Sequence, residues 1–144
     1  MVQLGRQIAT KLSPGSVVYL NGELGAGKTT LVRGILQGFG HTGPVTSPTF
    51  TLVESYSLAC CQLYHFDLYR LQTAIELESI GIRDMIGADT IVIFEWPERG
   101  LGVLPRANVE IDITYAPVGR LVHIPSSLLN PNASELAATS GVGQ

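Results

Sequence analysis

The sequence predicts a single α/β domain organised around a phosphate-binding loop. Three observations carry that reading. An apolar run at Val17, Val18, Tyr19 and Leu20 leads into G-E-L-G-A-G-K-T over Gly22 to Thr29, and a helical pattern follows at once. Further along, short apolar runs alternate with helical periodicities, as strands and helices do in this class. The 144 residues are 45% hydrophobic and 15% charged. That is enough apolar material for one buried core and too little charge for a disordered chain.

Each element has a local reason. Leu4, Ile8 and Leu12 recur every four residues, which predicts a short amphipathic helix ended by Pro14 and Gly15. Val17 to Leu20 reads as a buried strand. The helix after the loop carries Leu31, Val32, Ile35, Leu36 and Phe39 on one face, with Gly38 and Gly40 near its end. His41 to Pro48 reads as a loop, because Gly43-Pro44 and Ser47-Pro48 are turn signals. Thr49 to Tyr56 and Gln62 to Leu68 are rich in aromatic and β-branched residues and predict a strand pair, turning through Ser57 to Cys60. Thr73 to Glu76 has the spacing of a capping box. The helix it opens ends at Gly81, and residues 82–86 add a turn. Ile91 to Phe94 predicts a buried strand running into Glu95-Trp96-Pro97. Residues 98–105 read as a loop with two glycines. Asn108 to Tyr115 and Arg120 to Ile124 read as a closing strand pair. The domain is assigned to residues 1–124, and 125–144, turning to Ser, Asn, Ala, Thr and Gly, to a mobile tail.

The eight residues from Gly22 fit G-x-x-x-x-G-K-[ST] in the strand-to-helix context that the motif needs. Gly22, Gly25 and Gly27 let the backbone turn tightly and aim N–H groups inward; Glu23, Leu24 and Ala26 complete the loop. Those N–H groups and the helix start form an anion site. Lys28 reaches toward β- and γ-phosphates, Thr29 offers a hydroxyl to Mg²⁺, and Thr30 a hydrogen bond to an α-phosphate.

Such a loop needs an acidic partner on a neighbouring strand end. Glu95 follows Ile91 to Phe94, and Asp67 follows Leu63 to Phe66. The expectation assigns Mg²⁺ to Thr29 with Glu95, and polarisation of the nucleophile to Asp67. Thr46 to Thr49 occupies the place where nucleotide switches sense a γ-phosphate, and reads equally as a proline turn. His65 reads as a packed histidine bonded to backbone rather than as a catalytic one. Trp96 is open between core packing and partner contact. Arg99 and Arg120 are candidate phosphate or base contacts.

The formal charge of −3, from 9 basic and 12 acidic residues, argues against a stand-alone nucleic-acid binder. Cys60 and Cys61 are adjacent, too close for a relaxed disulfide, and are expected as thiols in a cytosolic setting. No apolar run approaches the length of a membrane span, so no membrane partner is expected.

Together, the loop, T-S-P-T-F-T-L-V-E at 46–54, Y-H-F-D-L-Y-R at 64–70 and E-W-P-E-R at 95–99 resemble the TsaE (YjeE) family, over roughly residues 4 to 124. This family is the ATPase component of bacterial tRNA threonylcarbamoyladenosine synthesis. The resemblance implies a three-layer P-loop nucleotidase fold with a mixed parallel and antiparallel central sheet. It implies ATP and Mg²⁺ at the loop, partnership with TsaD and TsaB, and tRNA met only through that complex. Hydrolysis would reset the TsaD–TsaB pair between rounds. The family's metal ligands map onto Thr29 and Glu95, its other acidic position onto Asp67, and a nucleotide contact onto Arg120. The family pattern also has a segment upstream of the first helix bearing part of the adenine pocket. Met1 stands almost at that helix, and a late-starting form with a reduced base pocket is the expectation.

Three other readings compete. A small-molecule kinase would use Asp67 as base and needs arginines in a mobile lid, for which only 98–106 is available. A GTPase needs an N/T-K-x-D signature, and Lys11 and Lys28, the only lysines, leave no place for one. A binding module would hold ATP without turning it over.

Overall fold

The computed structural model describes residues 1–125 and residue 128. In chain order the elements are α1 (Val2–Ala9), β1 (Val17–Gly22), α2 (Lys28–Gly38), β2 (Val53–Ser57), β3 (Gln62–Asp67), α3 (Ile75–Ser79), α4 (Ile82–Met85), β4 (Thr90–Glu95), β5 (Val109–Tyr115) and β6 (Arg120–His123). One six-stranded sheet runs β2-β3-β4-β1-β5-β6. The four inner strands are parallel, and β2 and β6 pair antiparallel at the edges. This is the mixed sheet expected above.

Strand periodicity sorts the core into two layers. On β4, Ile91 and Ile93 face a cluster containing Leu4, Ile8, Leu31 and Ile35 of α1 and α2. Val92 and Phe94 face the opposite cluster, with Phe66, Leu77 and Ile82. Phe66 and Phe94 stack across that second layer at 4.7 Å between ring centroids. Helices therefore cover both faces, α1 and α2 on one and α3 and α4 on the other.

The structure shifts several boundaries. The strand expected from Thr49 begins only at Val53. Residues 49–52 form a turn instead, with Leu52 in the left-handed region at φ 72° and its N–H donating to Pro48 O. The 98–105 loop opens with a 3-10 turn over Pro97–Gly100. The capping box is half formed: Glu76 accepts the N–H groups of Gln72 and Thr73, at 2.8 and 2.9 Å, but no side chain caps α3. Cys60 and Cys61 are free thiols on the β2–β3 turn. The expected tail, 125–144, lies outside the described residues except for Pro125 and Leu128, and Leu128 is buried in the α1–α2 layer.

The α1–α2 contact depends on glycines whose role the periodicity did not show. A Cβ on Gly34 would lie 2.2 Å from Val2 O, and one on Gly5 would lie 2.5 Å from Leu31 O. The helix backbones themselves touch there, so neither side can yield by changing a rotamer. Gly34→Ala should therefore destabilise the fold by about 2–3 kcal/mol, as overpacking does. Urea unfolding checks this through a lowered midpoint at unchanged slope.

Candidate functional site

The parallel strands end together at one edge of the sheet. β1 closes at Gly22, β3 at Asp67 and β4 at Glu95, with Asp67 paired to Glu95 and Leu20 paired to Glu95 in register. Ligand crevices in open parallel sheets form outside such carboxyl ends. Here the loop from Gly22 to Gly27 arches over the edge into α2. Gly27 adopts φ 110° directly before the first helical residue, Lys28. A Cβ on Gly22 would lie 2.8 Å from Ile113 O, so β5 crowds the loop from below.

A cavity of about 260 Å³ opens beside the loop, lined by Gly25, Gly27, Lys28, Thr29, Thr30, Ser47, Thr49, Asp67, Glu95, Trp96 and Leu24. Lys28 is buried, and its ammonium donates to Gly22 O at 2.5 Å and sits 3.8 Å from the Trp96 ring centroid. Burial lowers its pKa, while Glu95, Asp67 and Glu98 pull it back up. Thr29 Oγ1 donates to Glu95 Oε2 at 3.3 Å. The Nε2 of His65, itself fully buried, lies 2.6 Å from the same oxygen. Asp67 Oδ2 accepts from the hydroxyls of Ser47 and Thr49 at 3.3 and 3.4 Å, and its Oδ1 accepts from Tyr69 N–H at 3.0 Å.

The remaining predicted residues fall around this centre. Thr30 faces the same cavity, and Ala26 is buried under the loop. Glu23 faces a neighbouring cavity of about 480 Å³, shared with Gly22, Trp96, Glu98 and Tyr115. Leu24 is 65% exposed, and its carbonyl accepts from Tyr115 Oη at 2.9 Å. Arg120 braces the loop from behind: its Nε donates to Ala26 O at 3.2 Å and its guanidinium lies over Tyr115. Arg99 lies over the Tyr69 ring, which in turn packs against Trp96. Within the Thr46–Thr49 stretch, the Ser47 and Thr49 hydroxyls reach the site through Asp67.

Two contacts lie outside the sequence reading. His65 bonds to Glu95, not to backbone as expected. Alternation on β3 does put His65 and Asp67 on one face, but only the β3–β4 register reveals the carboxylate opposite. Trp96 is a site residue: its ring lies against the Lys28 ammonium, and its backbone is left-handed at φ 58°.

The chemistry of this arrangement follows from its donors. Loop N–H groups and a helix start suit an anion, and a lysine beside them suits a phosphate. Thr29 and Glu95 offer hard oxygens, which fit Mg²⁺: that ion takes few protein ligands and completes its shell from water and phosphate. Among the described residues no group of three or more His, Cys, Asp or Glu gathers to hold a metal without such help.

The chain matches the family model "Threonylcarbamoyl adenosine biosynthesis protein TsaE" over residues 1–121. It is 52% identical over 120 residues to the tRNA threonylcarbamoyladenosine biosynthesis protein TsaE of Haemophilus influenzae, covering 80% of this chain and 76% of the relative. The Bacillus subtilis protein of the same name is 35% identical over 113 residues, 78% of this chain and 70% of the relative. A crystal structure of Bacillus subtilis YdiB superposes with TM-score 0.68 at 26% identity, covering 96% of this chain and 84% of that one.

The lowered pKa of Lys28 has a signature in stability. Burying a neutral amine costs less than burying an ammonium, so this part of the stability is fully present above the ordinary value of 10.5 and is lost as pH falls through the lowered one. Between those two values stability should rise with pH, and Lys28→Met should remove that rise. Unfolding free energies of both proteins from pH 8 upward, compared pairwise, check this; identical slopes would contradict it.

Proposed function

The chain belongs to the TsaE family of tRNA threonylcarbamoyladenosine biosynthesis, and from that membership we propose that it is a weak ATPase subunit of the modifying machinery. In this reading it binds ATP with Mg²⁺ at the Gly22–Thr30 loop, works in the cytoplasm with TsaD and TsaB homologues, and meets tRNA only through them. Hydrolysis resets the TsaD–TsaB pair between rounds. One observation supports this most: Lys28, Thr29, Asp67 and Glu95 converge on a single cavity at the mouth of the loop.

Each residue has a distinct task. The loop N–H groups cradle the phosphates. Lys28 exchanges the Gly22 carbonyl for β- and γ-phosphate oxygens. Thr30 faces the α-phosphate, and Arg120 holds the loop in shape. Thr29 and Glu95 hold the metal, which when bound screens the charge that develops on the transferring phosphoryl group. Asp67 orients the attacking water, and its hydroxyl partners Ser47 and Thr49 link that carboxylate to the 46–52 turn. Described residues contribute no arginine to the cavity wall, so slow turnover alone and faster turnover with partners is the expected behaviour.

Three measurements test these roles. Lys28→Ala should cost on the order of 100-fold in ATP affinity, the scale of a lost charge-assisted hydrogen-bond set; unchanged affinity and rate would remove the phosphate reading. Asp67→Asn should lower turnover by about 10²-fold or more while ATP affinity holds, whereas a large affinity loss would make Asp67 a binding residue. ATP hydrolysis should be slow for the chain alone and rise when TsaD and TsaB are added. Turnover indifferent to them, with phosphate delivered to a small hydroxyl acceptor, would instead mean the kinase chemistry with Asp67 as base.

A further inference from the structure

We infer that His65 is a positioning residue that fixes Glu95 for metal binding, so that it governs the Mg²⁺-dependent part of nucleotide binding without touching the nucleotide. This rests on the proposed reading that Thr29 and Glu95 hold Mg²⁺.

His65 sits on an inner strand and is fully buried. Its sheet partners are Ile93 on β4 and Glu54 on β2. It makes one side-chain hydrogen bond, 2.6 Å from Nε2 to Glu95 Oε2. Among the described residues nothing bonds its Nδ1, which is buried as well. A carboxylate oxygen only accepts, so the proton must be on Nε2. The Nε2–H is therefore the donor that His65 gives to Glu95.

That bond decides how Glu95 presents itself. Oε2 receives two donors, His65 Nε2–H at 2.6 Å and Thr29 Oγ1–H at 3.3 Å. Its lone pairs are then engaged, and Oε1 is the oxygen left for an ion or its water. Thr29, having directed its proton toward Glu95, keeps its oxygen lone pairs for an ion. A carboxylate on a three-bond side chain has several rotamers, and freezing it without a partner costs conformational entropy. His65 holds it in place before any ion arrives. Partners that orient metal ligands in this way typically change metal affinity by about 10–100-fold when removed.

The experiment compares His65→Leu, His65→Gln and His65→Asn with the unsubstituted chain. ADP binding is measured by calorimetry in EDTA and across a Mg²⁺ titration. A Gln amide nitrogen falls near the Nε2 position and keeps the donor to Glu95; an Asn amide nitrogen falls near Nδ1 and loses it. Leu and Asn should weaken the Mg²⁺-dependent step by about 10–100-fold and leave binding in EDTA unchanged, and Gln should restore most of the loss. Nitrogen NMR of the unsubstituted, metal-free protein should show a proton on His65 Nε2, a readout that survives if a variant fails to fold. An Nε2 that carries no proton, or a Mg²⁺ response untouched by Leu and Asn, overturns the role of His65 alone. Equal losses with and without Mg²⁺, or no difference between Gln and Asn, would make His65 a structural residue and also overturn it. If Mg²⁺ does not strengthen ADP binding even in the unsubstituted protein, the metal reading itself falls.

Discussion

The parallel pairing of β4 between β3 and β1 is the constraint on which the site depends. It sets Asp67 beside Glu95 and Glu95 beside Leu20, one residue before the approach to the loop. A slip of one residue in either pairing would turn the strand over and carry its acid to the opposite face. The register is held by burial on both sides. Ile91 and Ile93 require the α1–α2 layer, and Val92 and Phe94 require the layer of α3 and α4. Packing that has nothing to do with phosphate thus aligns the carboxylates.

Around that edge, charges are kept in a narrow balance. Lys28 is taken largely out of water, and three carboxylates offset part of the desolvation. The Trp96 ring supplies a further face for the ammonium, at 3.8 Å, a contact worth up to about 2 kcal/mol when desolvated. Tyr69 and Arg99 extend the stack outward. Strain is placed where it serves this arrangement. Trp96 holds a left-handed backbone, and its ring lies against the Lys28 ammonium. Leu52 does the same at the end of the turn that delivers Ser47 and Thr49 to Asp67. Non-glycine residues adopt that conformation only where surroundings impose it.

The glycine contact between α1 and α2 supports the same site from a distance. α2 begins at Lys28 and carries Thr29 and Thr30 in its first turn, so its axis sets where those groups point. Gly5 and Gly34 let α1 press against α2 at backbone distance, which leaves α2 little freedom to tilt. Arg120 and Tyr115 add hydrogen bonds to the carbonyls of Ala26 and Leu24. The loop is therefore gripped from the helix side and from the last two strands.

What the sequence determined by itself is whatever depends on local order along the chain. The phosphate loop and its flanking strand and helix are contiguous, so motif and periodicity sufficed. Glu95 and Asp67 could be singled out because each ends an apolar run, and the family motifs at 46–54, 64–70 and 95–99 identified the relatives. Local signals failed where a neighbour intervened. Thr49 to Leu52 has strand-forming composition, yet the turn that bonds Leu52 N–H to Pro48 displaced the strand to Val53. Only tertiary structure decided which side chains share an atom. His65 and Glu95 are 30 positions apart and meet because two strands align in parallel; Lys28 and Trp96 meet because one residue bends back. Periodicity tells which face a side chain takes, and register tells what stands opposite it. Register is a property of the packed sheet, not of any one stretch of chain.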